Sequence, residues 1–195
     1  HADQSIVQAE ALAYLCGVGN PKSMSEIDAT LLLQDPLLAT AAAECLIAQS
    51  DLEQQARAVG MLEETTSLAG DGFAQARAEV ARVIRRHPAV EGTDDLLAKL
   101  LKDRHPDVVS AALETANELR HASLIRPICE VGVRRAHRNA ALAALVQIGD
   151  PAIGPLTGIL ADPRNVRQLR QVAARALGRI SGRGSQEGLI AGLGA

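Results

Sequence analysis

Three of the chain's five histidines, His105, His121 and His137, recur at intervals of sixteen residues. Imidazole nitrogens bind zinc well, so this regularity raises a metal site. Their surroundings oppose it. His105 and His137 precede helical stretches, whereas His87 and His121 follow them, which puts the two sets on opposite edges of a helix stack. Neighbouring loops in such a stack lie about 10 Å apart, one helix diameter. A zinc–nitrogen bond is only about 2 Å long. Loop histidines are therefore expected, with no metal and no other cofactor. The carboxylate pairs Glu63/Glu64 and Asp94/Asp95 do not suit acid–base work either, because adjacent residues on a helix point apart. Neither a glycine-rich phosphate loop nor a Gly-x-Ser-x-Gly elbow occurs. No catalytic residue is expected, and the chain reads as a non-enzyme.

One constellation remains, and it is basic. Around 170–181, Val172, Ala173, Ala176, Leu177 and Ile180 form an apolar helix face. Arg175 and Arg179 project away from it, four residues apart, with Arg183 continuing the line. In the repeat register set out below, the equivalent positions are Ala143 and Gln147 one unit earlier, then Glu114 and Glu118. A groove lined by these positions grades from acidic through neutral to basic. Arg164, Arg167 and Arg170 add charge at the basic end, and Arg134, Arg135 and Arg138 stand in a nearby loop. The candidate site is thus Arg167, Arg170, Arg175, Arg179 and Arg183, with Glu114 and Glu118 as its acidic end. Guanidinium groups grip carboxylate or phosphate bidentately, so the ligand would be an anionic peptide, a phosphate group or a lipid headgroup. The competing reading is a solvated face with an internal ladder of Asp162 to Arg167 and Arg170.

The charge is uneven along the whole chain. Residues 1–103 hold eight Lys/Arg against sixteen Asp/Glu, a net of −8. Residues 104–195 hold twelve Arg against seven acids, a net of +5, giving −3 in all. Such asymmetry speaks about partners rather than fold.

What positions these residues is a repeat. "ALVQI" at 144–148 and "ALGRI" at 176–180 align so that Ala141, Ala144, Leu145 and Ile148 match Ala173, Ala176, Leu177 and Ile180. Apolar residues at i, i+3, i+4 and i+7 mark one helix face. Ala112, Ala116 and Leu119 fit the same frame, Ile84 takes its last apolar place, and Leu15 and Val18 open the series. A period near thirty residues is that of a helical hairpin. The 47% hydrophobic content is nearly devoid of aromatics and rich in alanine and leucine, which favours closely approaching helices. Helices are expected at 3–18, 24–34, 37–49, 52–66, 73–86, 93–102, 107–119, 122–135, 138–148, 151–161, 166–181 and 185–193. The Asp-Pro pairs at Asp35, Asp150 and Asp162 read as N-caps followed by proline in the first turn. Thr93 reads as a further N-cap, while Gly19, Gly149 and Gly182 read as helix stops.

"VAARALGRISGRGSQEGLIAGL" and "ALAALVQIGDPAIGPLTGIL" resemble HEAT repeats of the bacterial kind also found in phycobilisome lyases. The resemblance spans nearly the whole chain, is clearest over 104–193 and is degenerate over 52–92. It implies an all-α fold, a right-handed α-solenoid of about five to six hairpins forming one domain over 1–195. In that family the second helix of each hairpin lines the concave face. "DPRNVRQLRQVAARALGRISGRGSQEGLIAGL" also resembles the last repeats of HEAT modules joined to bacterial transporters of the nucleotide-exchange or major-facilitator type. In those proteins a cyclic-nucleotide-binding domain often follows. His1 in place of Met, and ends without obvious polar caps, suggest a piece of a longer protein.

The expected function is a non-catalytic protein-interaction or coupling module, a cytoplasmic regulatory or scaffold region of a larger bacterial protein. Its partner would be a peptide or an adjacent domain. The alternative is a phycobilin-lyase-like, chromophore-handling protein, which the scarcity of aromatics opposes. HEAT-like iron enzymes present His-Glu pairs, and none occurs here. Nucleic acid is not expected as a partner, because Tyr14 and Phe73 lie in the acidic half and offer the arginines no stacking platform. No stretch reaches the roughly 18 apolar residues of a membrane span. Cys16, Cys45 and Cys129 read as buried free thiols in a reducing compartment.

Overall fold

The computed structural model describes residues 35–48 and 51–194, together with the helical positions Val7 and Ala11. The expectations for Leu15, Cys16, Val18, Gly19 and the helix at 24–34 lie outside the described residues. Ten α-helices and no strand occur among those described. They are α1 (Pro36–Ala48), α2 (Leu52–Ser67), α3 (Ala74–Arg86), α4 (Thr93–Leu101) and α5 (Pro106–Leu119), followed by α6 (Ile125–Val133), α7 (Arg138–Ile148), α8 (Ile153–Ala161), α9 (Arg167–Leu177) and α10 (Arg183–Leu193). The residues fall into two compact units, His1–Leu96 and Leu97–Ala195, with the boundary inside α4.

In the first unit, α1, α2 and α3 pack against one another. Asp35 caps α1 as expected, its Oδ1 accepting from the Leu37 amide at 3.0 Å with Pro36 in the first turn. Asp51 caps α2 in the same way, accepting from Glu53 at 2.8 Å. Between α1 and α3 the Arg86 guanidinium grips Glu44 through both carboxylate oxygens, at 2.6 and 2.7 Å, and also reaches Glu79 at 2.9 Å. His87 Nε2 lies 3.2 Å from Glu44 Oε1. Burial opposes ionisation of Glu44, but Arg86 and His87 outweigh it and hold the carboxyl below its ordinary value. A lowered folded value means that the contribution to stability is complete above the unfolded value near 4.5 and is lost as pH falls below it. Glu44→Gln is therefore expected to lower the melting temperature at neutral pH. The cost is about 1 kcal/mol, discounted because Arg86 is partly exposed. The gap between wild type and variant should close as pH drops below 4.5 in a melting series.

In the second unit, α5, α7 and α9 touch in succession, and so do α6, α8 and α10. The sequence neighbours α6–α7 and α8–α9 also pair, so each hairpin contributes one helix to each series. The repeat register coincides with burial: Ala141, Ala144, Leu145 and Ile148 are all buried, and so are Ala173, Ala176, Leu177 and Ile180. Ala112, Ala116 and Ile84 are buried too. Leu119 is only half-buried. It closes α5, and Arg120 behind it turns left-handed (φ 57°), swinging the chain away.

Several local expectations need correction. Asp150 does not cap α8, because 150–152 forms a 3-10 turn and the α-helix opens at Ile153. Asp162 ends α8 instead of starting α9, and its Oδ1 accepts from the Arg164 amide at 3.0 Å. Thr93 is itself the first residue of α4, and its buried hydroxyl donates to the Val90 carbonyl at 2.9 Å. Gly149 does stop α7, with φ +72° that a side chain would resist. The stop ahead of Gly182 is Gly178. The Arg179 and Ile180 amides both donate to Ala176 O at 3.0 Å, so the chain tightens and leaves the helix at Leu177, not at 181.

Candidate functional site

The graded positions lie where the register puts them, on α5, α7 and α9 of the second unit. Glu114, Glu118, Ala143, Gln147 and Arg175 are all exposed. The basic end, however, is not a line on one helix. Arg179 stands in the turn behind α9, and Arg183 is the first residue of α10. Arg183 pairs with Glu187 one helical turn on, Nε to Oε1 at 2.9 Å, and 92% of its side chain is exposed. Such a pair is worth little in water.

The expected ladder from Asp162 to Arg167 and Arg170 does not form. Asp162 takes Arg164 instead, at 2.9 and 3.0 Å, and hydrogen bonding from Arg164 lowers the carboxyl from its ordinary value. Arg170 turns inward, its Nε donating to the Leu160 carbonyl at 2.7 Å at the end of α8. Thirty-two residues earlier, Arg138 does the equivalent, donating to Gly132 O at 3.2 Å and Val133 O at 3.1 Å at the end of α6. Two matching positions of the repeat thus cap the carbonyls that a helix C-terminus leaves unpaired. Arg134 binds the turn behind α4, donating to Asp103 O at 2.6 Å and Lys102 O at 3.2 Å. Three of the twelve arginines after residue 103 thus donate to backbone carbonyls. The equivalence of Arg138 and Arg170 was visible in the aligned repeats, but its purpose was not.

Two of the five candidate arginines, Arg167 and Arg170, come together in a concavity. A cleft of about 200 Å³ is lined by Leu160, Arg167, Arg170, Gln171, Ala174 and Leu193. Arg167 is exposed and makes no hydrogen bond or ion pair among the described residues. Leu160 and Leu193 escaped the sequence reading, since nothing in helical periodicity says that α8 and α10 meet beside α9. A larger cleft of about 640 Å³ lies in the first unit, beside Leu52, Ala56, Val59 and Val90, with Glu91 the one charged residue among the described lining.

The histidines sit at helix ends. His105 precedes α5, its Nδ1 3.4 Å from the Asp107 amide; His87 follows α3, and His121 and His137 precede helical turns. Among the described residues no group of three or more His, Cys, Asp or Glu is placed to hold a metal. Cys129 is a buried free thiol, pushed up to about 12 by burial, then by Glu130, which makes it a poor nucleophile. The expectation of free thiols fails at Cys45, which is disulfide-bonded, and the inference of a reducing compartment falls with it. No protein-family model matches the chain, and no curated protein matches it.

Proposed function

We propose that this chain is a non-catalytic interaction module, a right-handed α-solenoid of HEAT-like hairpins that serves as a coupling or scaffold region of a larger bacterial protein. The observation that carries the reading is the equivalence of successive hairpins. Positions 32 residues apart share burial at four sites and share an arginine cap at Arg138 and Arg170. A hairpin cannot bury its apolar face alone, so repetition supplies the neighbour that covers it. Repetition of this kind builds extended surface, and the graded positions on α5, α7 and α9 give that surface a charge pattern suited to a peptide or an adjoining domain. Attachment to a transporter of the nucleotide-exchange or major-facilitator type follows from the resemblance in 162–193. Among the described residues no single helix is long and apolar enough to cross a membrane; α7 and the stretch Asp150–Ala161, which ends in α8, together pass by length and composition but are bent by 109°.

The test is made on the source cells. An antibody to this domain is used to read the size and fraction of the native band. A large band in the membrane fraction is expected. A soluble band near the 20.5 kDa of this chain would overturn the coupling role.

A further inference from the structure

We propose that the cleft between α8, α9 and α10 is a docking subsite for an acidic, amphipathic segment of a partner protein. The inference rests on the reading of the chain as an interaction module and gives that module's partner a chemistry. Size comes first. At about 200 Å³ the cleft is smaller than the roughly 300–1,000 Å³ of sites that enclose free ligands, so it suits one anchoring side chain of a longer partner.

The lining then sets the anchor's character. Buried Leu160 forms an apolar floor, with Ala174 beside it and Leu193 at the rim. Two guanidinium groups stand next to this floor. Arg170 is held in place by its Nε bond to Leu160 O at 2.7 Å, which leaves its Nη groups as donors. Arg167 is exposed and unengaged among the described residues, ready to complete a bidentate grip on a carboxylate.

The surroundings extend both properties. Val166, next to Arg167, is 63% exposed, and on α10 Ile190 and Leu193 are 73% and 65% exposed, three residues apart on one face. Residues 162–183 contain six arginines and one acid, and that acid, Asp162, is taken by Arg164. A partner helix with a glutamate and a leucine one turn apart would set its carboxylate on Arg167 and Arg170 and its leucine on Leu160 and Leu193. All of the positive charge after residue 103 is arginine, with no lysine. Arginine's planar fork fits a carboxylate bidentately, and the apolar floor beside it calls for an apolar side chain next to that carboxylate, which a helix of a protein partner supplies.

The probe is a short fluorescein-labelled helical peptide with Glu and Leu at i, i+4 spacing, titrated against the full chain by anisotropy. A Gln-for-Glu version of the peptide and phosphatidylserine vesicles run beside it. Binding to the Glu peptide is expected, with Arg167→Glu and Leu193→Asp each weakening it about tenfold. Both side chains are exposed, so neither variant should unfold the chain. Arg183→Glu should change affinity by less than about twofold, because that charge sits in its own exposed pair. Failure of the Glu peptide to bind, equal affinity for the Gln peptide, indifference to both cleft variants, or a preference for vesicles would each overturn the proposal. Concentration-dependent self-association abolished by Arg167→Glu would give the cleft to a second copy and also overturn it. A large membrane band in the cell fractionation, together with no peptide binding, would refute this subsite while leaving the module intact.

Discussion

Replacing Leu177 with alanine is expected to cost about 2–5 kcal/mol of stability, read as a lowered midpoint in urea and a lowered melting temperature. Leu177 is 1% exposed on the face of α9 that also carries Val172, Ala173 and Ala176. That helix packs on α6, α7, α8 and α10, so the lost methyl groups leave a cavity that no single neighbour can fill. Leu145 is its equivalent one repeat earlier and is fully buried, so Leu145→Ala should fall in the same range. Gln147, exposed on the same helix, is the control, and its alanine variant should stay within about 0.5 kcal/mol of wild type. A melting temperature unchanged by Leu177→Ala would refute the repeat register itself.

That register is what the residues disclosed most fully. Alanine and leucine recurring at helical spacing give away which face is buried, because burial is decided locally by periodicity. Ala141 with Ala173 and Leu145 with Leu177 are cases where pattern and packing agree. Helix ends were less legible. Asp35 and Asp162 both precede proline, yet one starts a helix and the other ends one. Both carboxylates accept from the amide two residues on, so an Asp-Pro pair marks a turn without fixing whether a helix follows at once. The candidate site fared likewise. Arg175, Glu114 and Glu118 stayed on exposed faces, as amphipathicity requires. Arg179 and Arg183 left the line because Gly178 let the chain tighten two residues after Ala176. Arg170 turned to a carbonyl because α8 happens to end beside it. Where a neighbouring helix stops is a tertiary fact, and no spacing within α9 encodes it.

Arg77 carries the second large effect. Arg77→Met is expected to destabilise the first unit by about 1–3 kcal/mol, because it leaves two carbonyls of the link behind α2 without their charged donor. The arginine is 5% exposed, close to the limit for a side chain of its kind, and its Nη1 donates to Leu68 O and Gly70 O, both at 2.9 Å. Those carbonyls belong to the link that follows α2, where Gly70 has φ +102° before α3 begins. Without the guanidinium the two oxygens turn to water, Gly70 being exposed and Leu68 half-buried, so the cost is the lost charged hydrogen bonds rather than stranded carbonyls. Methionine keeps the apolar stem and most of the volume, so the loss reports the hydrogen bonds rather than a cavity. Lysine at the same position, with one compact ammonium, should recover part of the stability but not all of it. Hydrogen exchange gives the local reading: in Arg77→Met the amides of 68–74 should exchange faster than those of α9, which lies in the other unit. Equal protection of both segments would mean that Arg77 does not hold this link.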